Sequence, residues 1–114
     1  MRSGIKMSKY GEIPVIKLSG RIIAVESRKF KRKMESLFLK KSVDRIIVDI
    51  SETEFLDSYG LGVIVYYHTC MQKAGRELIL LNKNPNPNAY ITRLFDLTRL
   101  VNVFKVVTYL QDIR

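Results

Sequence analysis

The sequence has little of the chemistry that most metal proteins and many enzymes use. Its 114 residues include one cysteine, one histidine and no tryptophan. Cys70 has no second thiol for an internal disulfide bond, and neither it nor His68 has neighbours at the spacing of a metal site. His68 also lacks a nearby nucleophile and an orienting acid. We therefore expect no metal, no cofactor, no catalytic residues and no enzymatic activity.

Long apolar runs are also missing. No stretch approaches the ~20 apolar residues that cross a bilayer as a helix, and residues 1–11 are too polar for the core of a secretory signal. The sequence therefore predicts no membrane insertion and a cytoplasmic location. With 46% hydrophobic residues the chain can build a core of its own, so a single domain over residues 1–114 is expected.

Acidic residues are outnumbered, with 11 Asp and Glu against 20 Lys and Arg and a net charge of +9. Such a charge favours an acidic partner, nucleic acid or an anionic membrane surface, although a solvated lysine-rich surface also accounts for it. Many of the cations fall within Glu26–Lys41, which is predicted as an amphipathic helix. No aromatic residue lies on its basic face to stack a base. Nucleic-acid binding is therefore a weaker alternative.

Short apolar runs alternate with segments of helical periodicity. Residues 4–10 and 13–19 predict a β-hairpin, after which Gly20 permits a bend. Further strands are predicted at Arg45–Ile50, Glu77–Leu81 and Val103–Val107, the last at an edge. Helices are predicted at Glu26–Lys41, Ser58–Ala74 and Ala89–Leu97, and loops at Ser51–Glu54 and Asn82–Asn88. This order predicts an α/β fold with a mixed, mostly parallel central sheet of about four to five strands and three or so helices.

The stretch between the predicted central strand and second helix carries the candidate site. Asp57 and Ser58 lie where side-chain oxygens cap free N–H groups and where the helix dipole stabilises an anion. The Ser58 hydroxyl can cap the helix or be exposed for another protein to modify. Gly60 and Gly62 cost ~1 kcal/mol each relative to alanine in a helix. Two such glycines in one helix therefore need a reason: either a strand packs too closely for a side chain, or a partner must approach the backbone.

The run Asp57-Ser58-Tyr59-Gly60-Leu61-Gly62 resembles the Asp-Ser-(Ser/Thr)-Gly-Leu-Gly signature of STAS domains. It is most similar to that of the single-domain bacterial anti-sigma-factor antagonists. The resemblance covers nearly the whole chain, because Gly20, Asp49 and the run Arg93–Thr98 also match the family. It implies a STAS-like single domain. In that family the serine after the aspartate accepts a phosphate from a partner kinase, which implies phosphorylation of Ser58.

The resemblance implies an anti-sigma-factor antagonist. Such a protein binds an anti-sigma factor, which is a serine kinase, and thereby releases a sigma factor. Phosphorylation of Ser58 would switch this binding off, and a serine phosphatase would restore it. The expected partner-binding residues are Asp57, Ser58, Tyr59, Gly60, Leu61 and Ile23. The alternative within the family is a scaffold subunit of a larger signalling assembly or of a transporter complex.

Two departures from the family pattern bear on the partner. Tyr59 stands where the family usually has a second small hydroxyl residue, so its ring could shield Ser58 or anchor a partner. The family often has an acidic residue shortly after the early glycine, whereas Gly20 is followed by Arg21, Ile22 and Ile23. The edge that meets the partner is therefore expected to be more apolar and more basic than in relatives.

Overall fold

The computed structural model describes residues 3–84, 86 and 89–113. Within these ranges one five-stranded sheet carries three helices. The strands are β1 Gly4–Tyr10, β2 Ile13–Ile22, β3 Arg45–Leu56, β4 Glu77–Leu81 and β5 Lys105–Val107. The helices are α1 Val25–Phe38, α2 Ser58–Lys73 and α3 Tyr90–Leu97, with short 3₁₀ turns at Leu100–Asn102 and Leu110–Asp112. Pro85, Pro87 and Asn88 of the predicted loop, and the terminal Met1, Arg2 and Arg114, lie outside the described residues.

The strands lie in chain order across the sheet. β1 runs antiparallel to β2, and β2, β3, β4 and β5 are parallel. This arrangement confirms the predicted α/β fold with a mixed, mostly parallel sheet. Because the carboxyl ends of parallel strands meet at one edge, the starts of α1 and α2 come together at the ends of β2 and β3.

The main core lies between the helices and one face of the sheet. Alternate strand residues point to opposite faces, so Ile16, Val48 and Leu80 meet Phe30 and Ile64 from the helices. On the other face a smaller cluster forms. It contains Val15, Ile47, Ile79, Leu81, Val107 and Ile113. The two clusters explain why the apolar runs of β3 and β4 show no polar alternation: these strands are buried on both sides.

The loop predicted at Ser51–Glu54 is wrong, because β3 continues without interruption to Leu56. The second half of β3 pairs with the end of β2, with register shifts on either side of the Ser19–Gly20 segment. β4 ends opposite Asp49, so among the described residues the part of β3 after Asp49 pairs with β2 alone. Its side chains Glu52 and Glu54 are exposed, and a polar strand of this kind has the composition of a loop.

Smaller boundary differences have local causes. α1 ends at Phe38 rather than Lys41, and a turn follows in which Val43 N donates to Lys40 O at 3.0 Å. β5 begins at Lys105 rather than Val103, because Val103 N donates to Leu100 O at 2.9 Å and closes the preceding turn. Among the described helices, none combines the length and the apolar character of a membrane span.

Candidate functional site

The end of β3 and the starts of α1 and α2 meet at one corner of the sheet. Asp57 N donates to Ile22 O at 3.1 Å, which places the last residue of β2 beside the start of α2. Asp57 is the N-cap of α2, and its Oδ1 accepts a hydrogen bond from Gly60 N at 2.8 Å. This bond satisfies one of the free amides of the first helical turn, and it confirms Asp57 as the predicted cap.

The same carboxylate also holds the start of α1. Its Oδ1 accepts a 2.6 Å hydrogen bond from Ser27 Oγ, and its Oδ2 accepts one from Ala24 N at 3.0 Å. Ser27 is fully buried. Ser27 was not predicted as a site residue, although its position on the apolar stripe of α1, three residues before Phe30, indicates a buried hydroxyl group that needs a partner. Asp57 thus joins two helix starts that are about 30 residues apart in the chain.

These contacts set the protonation of Asp57. Burial by itself would raise the pKa of this carboxyl group. The hydrogen bonds from Ser27, Gly60 and Ala24 and the nearby positive charge of Arg28 outweigh burial and lower its pKa below the ordinary value of 3.8. Asp57 is therefore an anion at neutral pH, and its oxygens are committed to donors in α1 and α2.

Ser58 is the first residue of α2 and is exposed. Among the described residues its hydroxyl makes no hydrogen bond, because Asp57 caps the helix in its place. Tyr59 is next to it and 46% exposed. Of the two roles that the sequence left open for Ser58, the arrangement favours the exposed hydroxyl over the cap.

The two glycines of the signature have different surroundings. A Cβ at Gly60 would lie 2.7 Å from Leu56 Cδ1 and 3.3 Å from both Asp57 Oδ1 and Ser27 Oγ. A side chain at position 60 would therefore crowd the buried Leu56 side chain and the two oxygens of the Asp57–Ser27 hydrogen bond. A Cβ at Gly62 would meet nothing within 4 Å. Gly62 is exposed on the outer side of α2, so packing does not explain it.

Exposed apolar side chains lie at the start of α1, next to the N-cap of α2. Ile23 and Val25 are 39% and 51% exposed and flank Ala24. Ala24 itself has φ 49° and ψ −108°, a conformation that residues other than glycine rarely adopt. Leu61 is half-buried against the core. The expected contact residues thus lie around one corner, with Gly60 buried beneath it and the others wholly or partly exposed; their role in binding stays a prediction.

A second group of aromatic contacts anchors α3 next to this corner. Tyr90 Oη donates to Leu56 O at 3.2 Å, and its ring stacks on Phe55 with centroids 5.2 Å apart. The Arg21 guanidinium lies 4.9 Å from the centroid of the Phe55 ring. The contacts of Tyr90 could not be predicted from the sequence, because Leu56 and Phe55 lie about 34 residues away in the chain. Arg21, one of the departures from the family pattern, adds positive charge at the end of β2.

The remaining residues singled out by sequence serve the framework. Asp49 is 3% exposed, accepts hydrogen bonds from Ser51 N and Oγ at 3.0 and 2.6 Å, and lies 3.8 Å from Lys83 Nζ. Lys83 N in turn donates to Ser51 Oγ at 2.7 Å, which fixes the chain after β4. His68 packs on Phe104 with ring centroids 4.5 Å apart. Within the described ranges, no group of three His, Cys, Asp or Glu side chains is arranged to hold a metal ion.

Comparison with known proteins gives consistent matches. The family model described as "STAS domain" matches residues 4–112. An anti-sigma F factor antagonist of Paenibacillus polymyxa is 24% identical over 106 residues, which are 93% of this chain and 87% of the relative. The crystal structure of an anti-sigma factor antagonist from Mycobacterium paratuberculosis superposes with a TM-score of 0.79 at 22% identity, covering 97% of this chain and 90% of that one. The Bacillus cell fate determinant SpoIIAA, in its phosphorylated form, superposes with a TM-score of 0.73 at 21% identity, covering 96% of each chain.

Proposed function

Because the chain belongs to the STAS domain family, we propose that it acts as an anti-sigma factor antagonist switched by phosphorylation of Ser58. It binds an anti-sigma factor, frees a sigma factor from it, and loses this binding when Ser58 is phosphorylated. The observation that carries the proposal is the Ser58 hydroxyl, which is exposed and free of hydrogen bonds within the described part of the chain, at the start of α2. The role is regulatory, and the catalysis belongs to the partner.

The anti-sigma factor, as a serine kinase, supplies ATP and Mg²⁺. The γ-phosphoryl group passes to Ser58 Oγ, the hydroxyl proton is lost to a base of the kinase, and ADP leaves. The new phosphate adds about −1.5 to −2 charges at pH 7. A separate serine phosphatase hydrolyses the phosphoserine and restores the hydroxyl.

The fold tolerates this charge for two reasons. The phosphate lies at the N-terminus of α2, where the helix dipole and the first amides stabilise an anion. The neighbouring Asp57 carboxylate is already engaged by three donors, so its charge is partly compensated. A partner packed on Ile23, Val25 and Tyr59 would instead have to desolvate a dianion. The switch therefore acts at the interface and leaves the fold intact.

The phosphorylated form of SpoIIAA has the same fold as this chain, which supports a phosphorylated state for a domain of this architecture. The P. polymyxa relative, named an anti-sigma F factor antagonist, supports the partner class.

The proposal is tested by intact-mass spectrometry. The chain is incubated with ATP, Mg²⁺ and each purified anti-sigma factor kinase of the source organism, and wild type is compared with Ser58→Ala and with Ser36→Ala, an exposed serine on α1. We expect one phosphate on wild type and on Ser36→Ala and none on Ser58→Ala. A wild-type chain that stays unmodified by kinases shown to be active would overturn the proposal, as would a phosphate on Ser58→Ala.

A second variant tests the position of Tyr59. Replacing it by threonine gives the small hydroxyl residue that the family usually has there. If the ring shields Ser58, the kinase should phosphorylate Tyr59→Thr faster than wild type. If the ring anchors the partner, the variant should bind more weakly and be phosphorylated more slowly.

A further inference from the structure

The outer face of α2 is apolar although it is exposed. From Ser58 to Gln72 the sequence has no Asp, Glu, Lys or Arg. Tyr59, Val65 and Tyr66 are 46%, 37% and 60% exposed, and Gly62 lies between them with open space where a side chain would be. The Tyr66 ring is held edge-on against Tyr67 at a centroid distance of 5.0 Å. α2 therefore presents an ordered aromatic surface with a shallow gap at Gly62.

The outer face of α1 is mainly basic, although the exposed Glu35, 4.0 Å from Lys31, adds one carboxylate on the side towards Tyr66 of α2. Arg28, Lys29, Arg32 and Lys33 are all exposed on it, and they form two like-charge pairs four residues apart. Such pairs destabilise a helix. Lys29 has a distant counter-ion in Glu26, with 3.9 Å between Nζ and Oε1. No ion pair within 4 Å is seen for Arg28, Arg32 or Lys33 among the described residues. These cations form a basic ridge along α1, in which Arg28 acts electrostatically on Asp57 while Arg32 and Lys33 have no described counter-ion within 4 Å.

The two faces form one surface. α1 and α2 pack against each other on the same side of the sheet. They begin at the same corner, where Asp57 binds the amide of Ala24 and the hydroxyl of Ser27. Ser58 lies at the end of this surface.

We propose that the outer faces of α1 and α2 together form the docking surface for the anti-sigma factor, and that this partner covers it with an apolar segment and a row of carboxylates. The apolar segment packs on Tyr59, Val65 and Tyr66 across the gap at Gly62. The carboxylates face Arg28, Arg32 and Lys33. This inference rests on the proposed function and adds the surface and the charge of the partner.

The charge pattern decides between occupants. A second copy of this chain carries a net charge of +9 and would be repelled at low salt. Nucleic acid would use the basic ridge and leave the aromatic face of α2 uncovered. An acidic protein with an apolar centre matches both faces. It also gives the sign of the switch, because phosphoserine at position 58 would lie beside the partner's carboxylates and repel them.

The test measures the dissociation constant and the association rate between this chain and each purified anti-sigma factor of the source organism. The face variant is Val65→Ser with Tyr66→Ser, and the ridge variant is Arg28→Gln with Arg32→Gln. Matched controls are Leu97→Ser, a 77% exposed leucine on α3, and Lys6→Gln with Lys9→Gln, two exposed lysines on β1. Thermal melting of every variant confirms that it is folded.

We expect the face variant to bind about tenfold more weakly or worse, as for the loss of aromatic anchors. The ridge variant should associate more slowly and lose much of the salt dependence of the rate. Both controls should bind within about twofold of wild type. If wild type binds but both test variants match the controls, the docking surface is wrong and the proposed function stands.

Three further outcomes also decide the question. If wild type binds none of the anti-sigma factors, the proposed function and this inference both fail. Face-dependent self-association in sedimentation would assign the surface to a second copy and overturn the inference. Ridge- and face-dependent binding to phosphatidylserine vesicles, with unchanged anti-sigma binding by both variants, would assign it to a membrane and also overturn it.

Discussion

At the scale of single residues, Asp57 determines what Ser58 can do. A helix start needs an oxygen to accept from its first free amides, and a serine at this place commonly supplies it. Here the preceding carboxylate accepts from Gly60 N instead and also holds Ala24 and Ser27. The Ser58 hydroxyl is thereby released from capping while its backbone is fixed by the helix. A rigid backbone with an exposed hydroxyl is what a modifying enzyme needs.

Removing the Asp57 carboxylate should weaken the joint between α1 and α2. We expect Asp57→Ala to lower the free energy of unfolding by about 1–2 kcal/mol at pH 7, in the upper range for loss of an N-cap. The stability of Asp57→Asn should lie between that of wild type and that of Asp57→Ala. Urea denaturation followed by circular dichroism measures the difference. The matched control is Asp96→Asn, an exposed carboxylate on α3. A loss no larger than that of the control would show that the joint is unimportant for stability.

The contribution of Asp57 should depend on pH in a defined direction. Its pKa is lowered in the folded chain, so its stabilising effect is fully present above the unfolded pKa and is lost as pH falls through the folded pKa. The stability gap between wild type and Asp57→Asn should therefore be constant near neutral pH and narrow below about pH 4. Urea melts at several pH values measure it, and a gap that widens on acidification would contradict the assignment.

Ala24 carries backbone strain at the same corner. Its φ of 49° with ψ −108° is a glycine-like conformation, and such strain costs of order 1–3 kcal/mol. We expect Ala24→Gly to raise the free energy of unfolding by about 1 kcal/mol after the entropy of the added glycine is included. Ala89→Gly is the control, because Ala89 is also the N-cap of its helix but has an ordinary φ of −69°; the change there should raise the free energy of unfolding by a few tenths of a kcal/mol at most. Equal changes at both positions would show that Ala24 is unstrained.

At the scale of secondary-structure elements, the two signature glycines of α2 should respond oppositely to substitution, because Gly60 is closely packed and Gly62 faces open space. Gly60→Ala places a methyl 2.7 Å from Leu56 Cδ1, so we expect a loss of about 1–3 kcal/mol from overpacking. Gly62→Ala meets open space and should gain about 0.5–1 kcal/mol from helix propensity. Chemical denaturation of the pair, each variant being the control of the other, measures both effects. Changes of the same sign would contradict the contacts around Gly60.

The elements themselves were predictable where periodicity is strong. α2 was expected at Ser58–Ala74 and spans Ser58–Lys73, because its apolar arc and the glycine that follows are local signals. The second half of β3 could not be predicted, because a polar strand with exposed glutamates resembles a loop until β2 is known to lie beside it.

The site was predictable in part for the same reason. The cap by Asp57 was predictable from the local sequence, because an aspartate directly before a helix commonly accepts a hydrogen bond from the first helical turn. The bonds from Ala24 and Ser27 to its carboxylate join residues 33 and 30 positions apart, and no local pattern encodes such a contact. The outward aromatic face of α2 was also hidden, because Val65, Tyr66 and Tyr67 all read as apolar and the sequence does not show which of them the sheet covers.

At the scale of the whole molecule, the excess positive charge has a place and a cost. α1, with five Lys and Arg against two Glu, has a net charge of +3 out of +9 for the chain, while the neighbouring outer face of α2 is neutral before Lys73. A charged ridge beside an apolar surface steers an oppositely charged partner and contributes less to the final affinity than the apolar contacts do. The same charges repel one another in the free protein and lower its stability.

Salt should therefore stabilise the free protein. With a net charge of +9, screening of self-repulsion outweighs the weakening of the surface ion pairs, because exposed pairs contribute little. We expect the free energy of unfolding in urea to rise by about 1 kcal/mol between low salt and ~0.3 M NaCl, where the Debye length falls below about 8 Å.

Arg32→Gln, which removes a charge lying four residues from Arg28, should be more stable than wild type at low salt and gain less from added salt. Lys73→Gln is the control: Lys73 lies in the last turn of α2, where the helix dipole favours a cation, so its removal should destabilise at low salt. A wild-type stability that falls as salt is added would mean that the ion pairs dominate and that the ridge on α1 costs the free protein nothing.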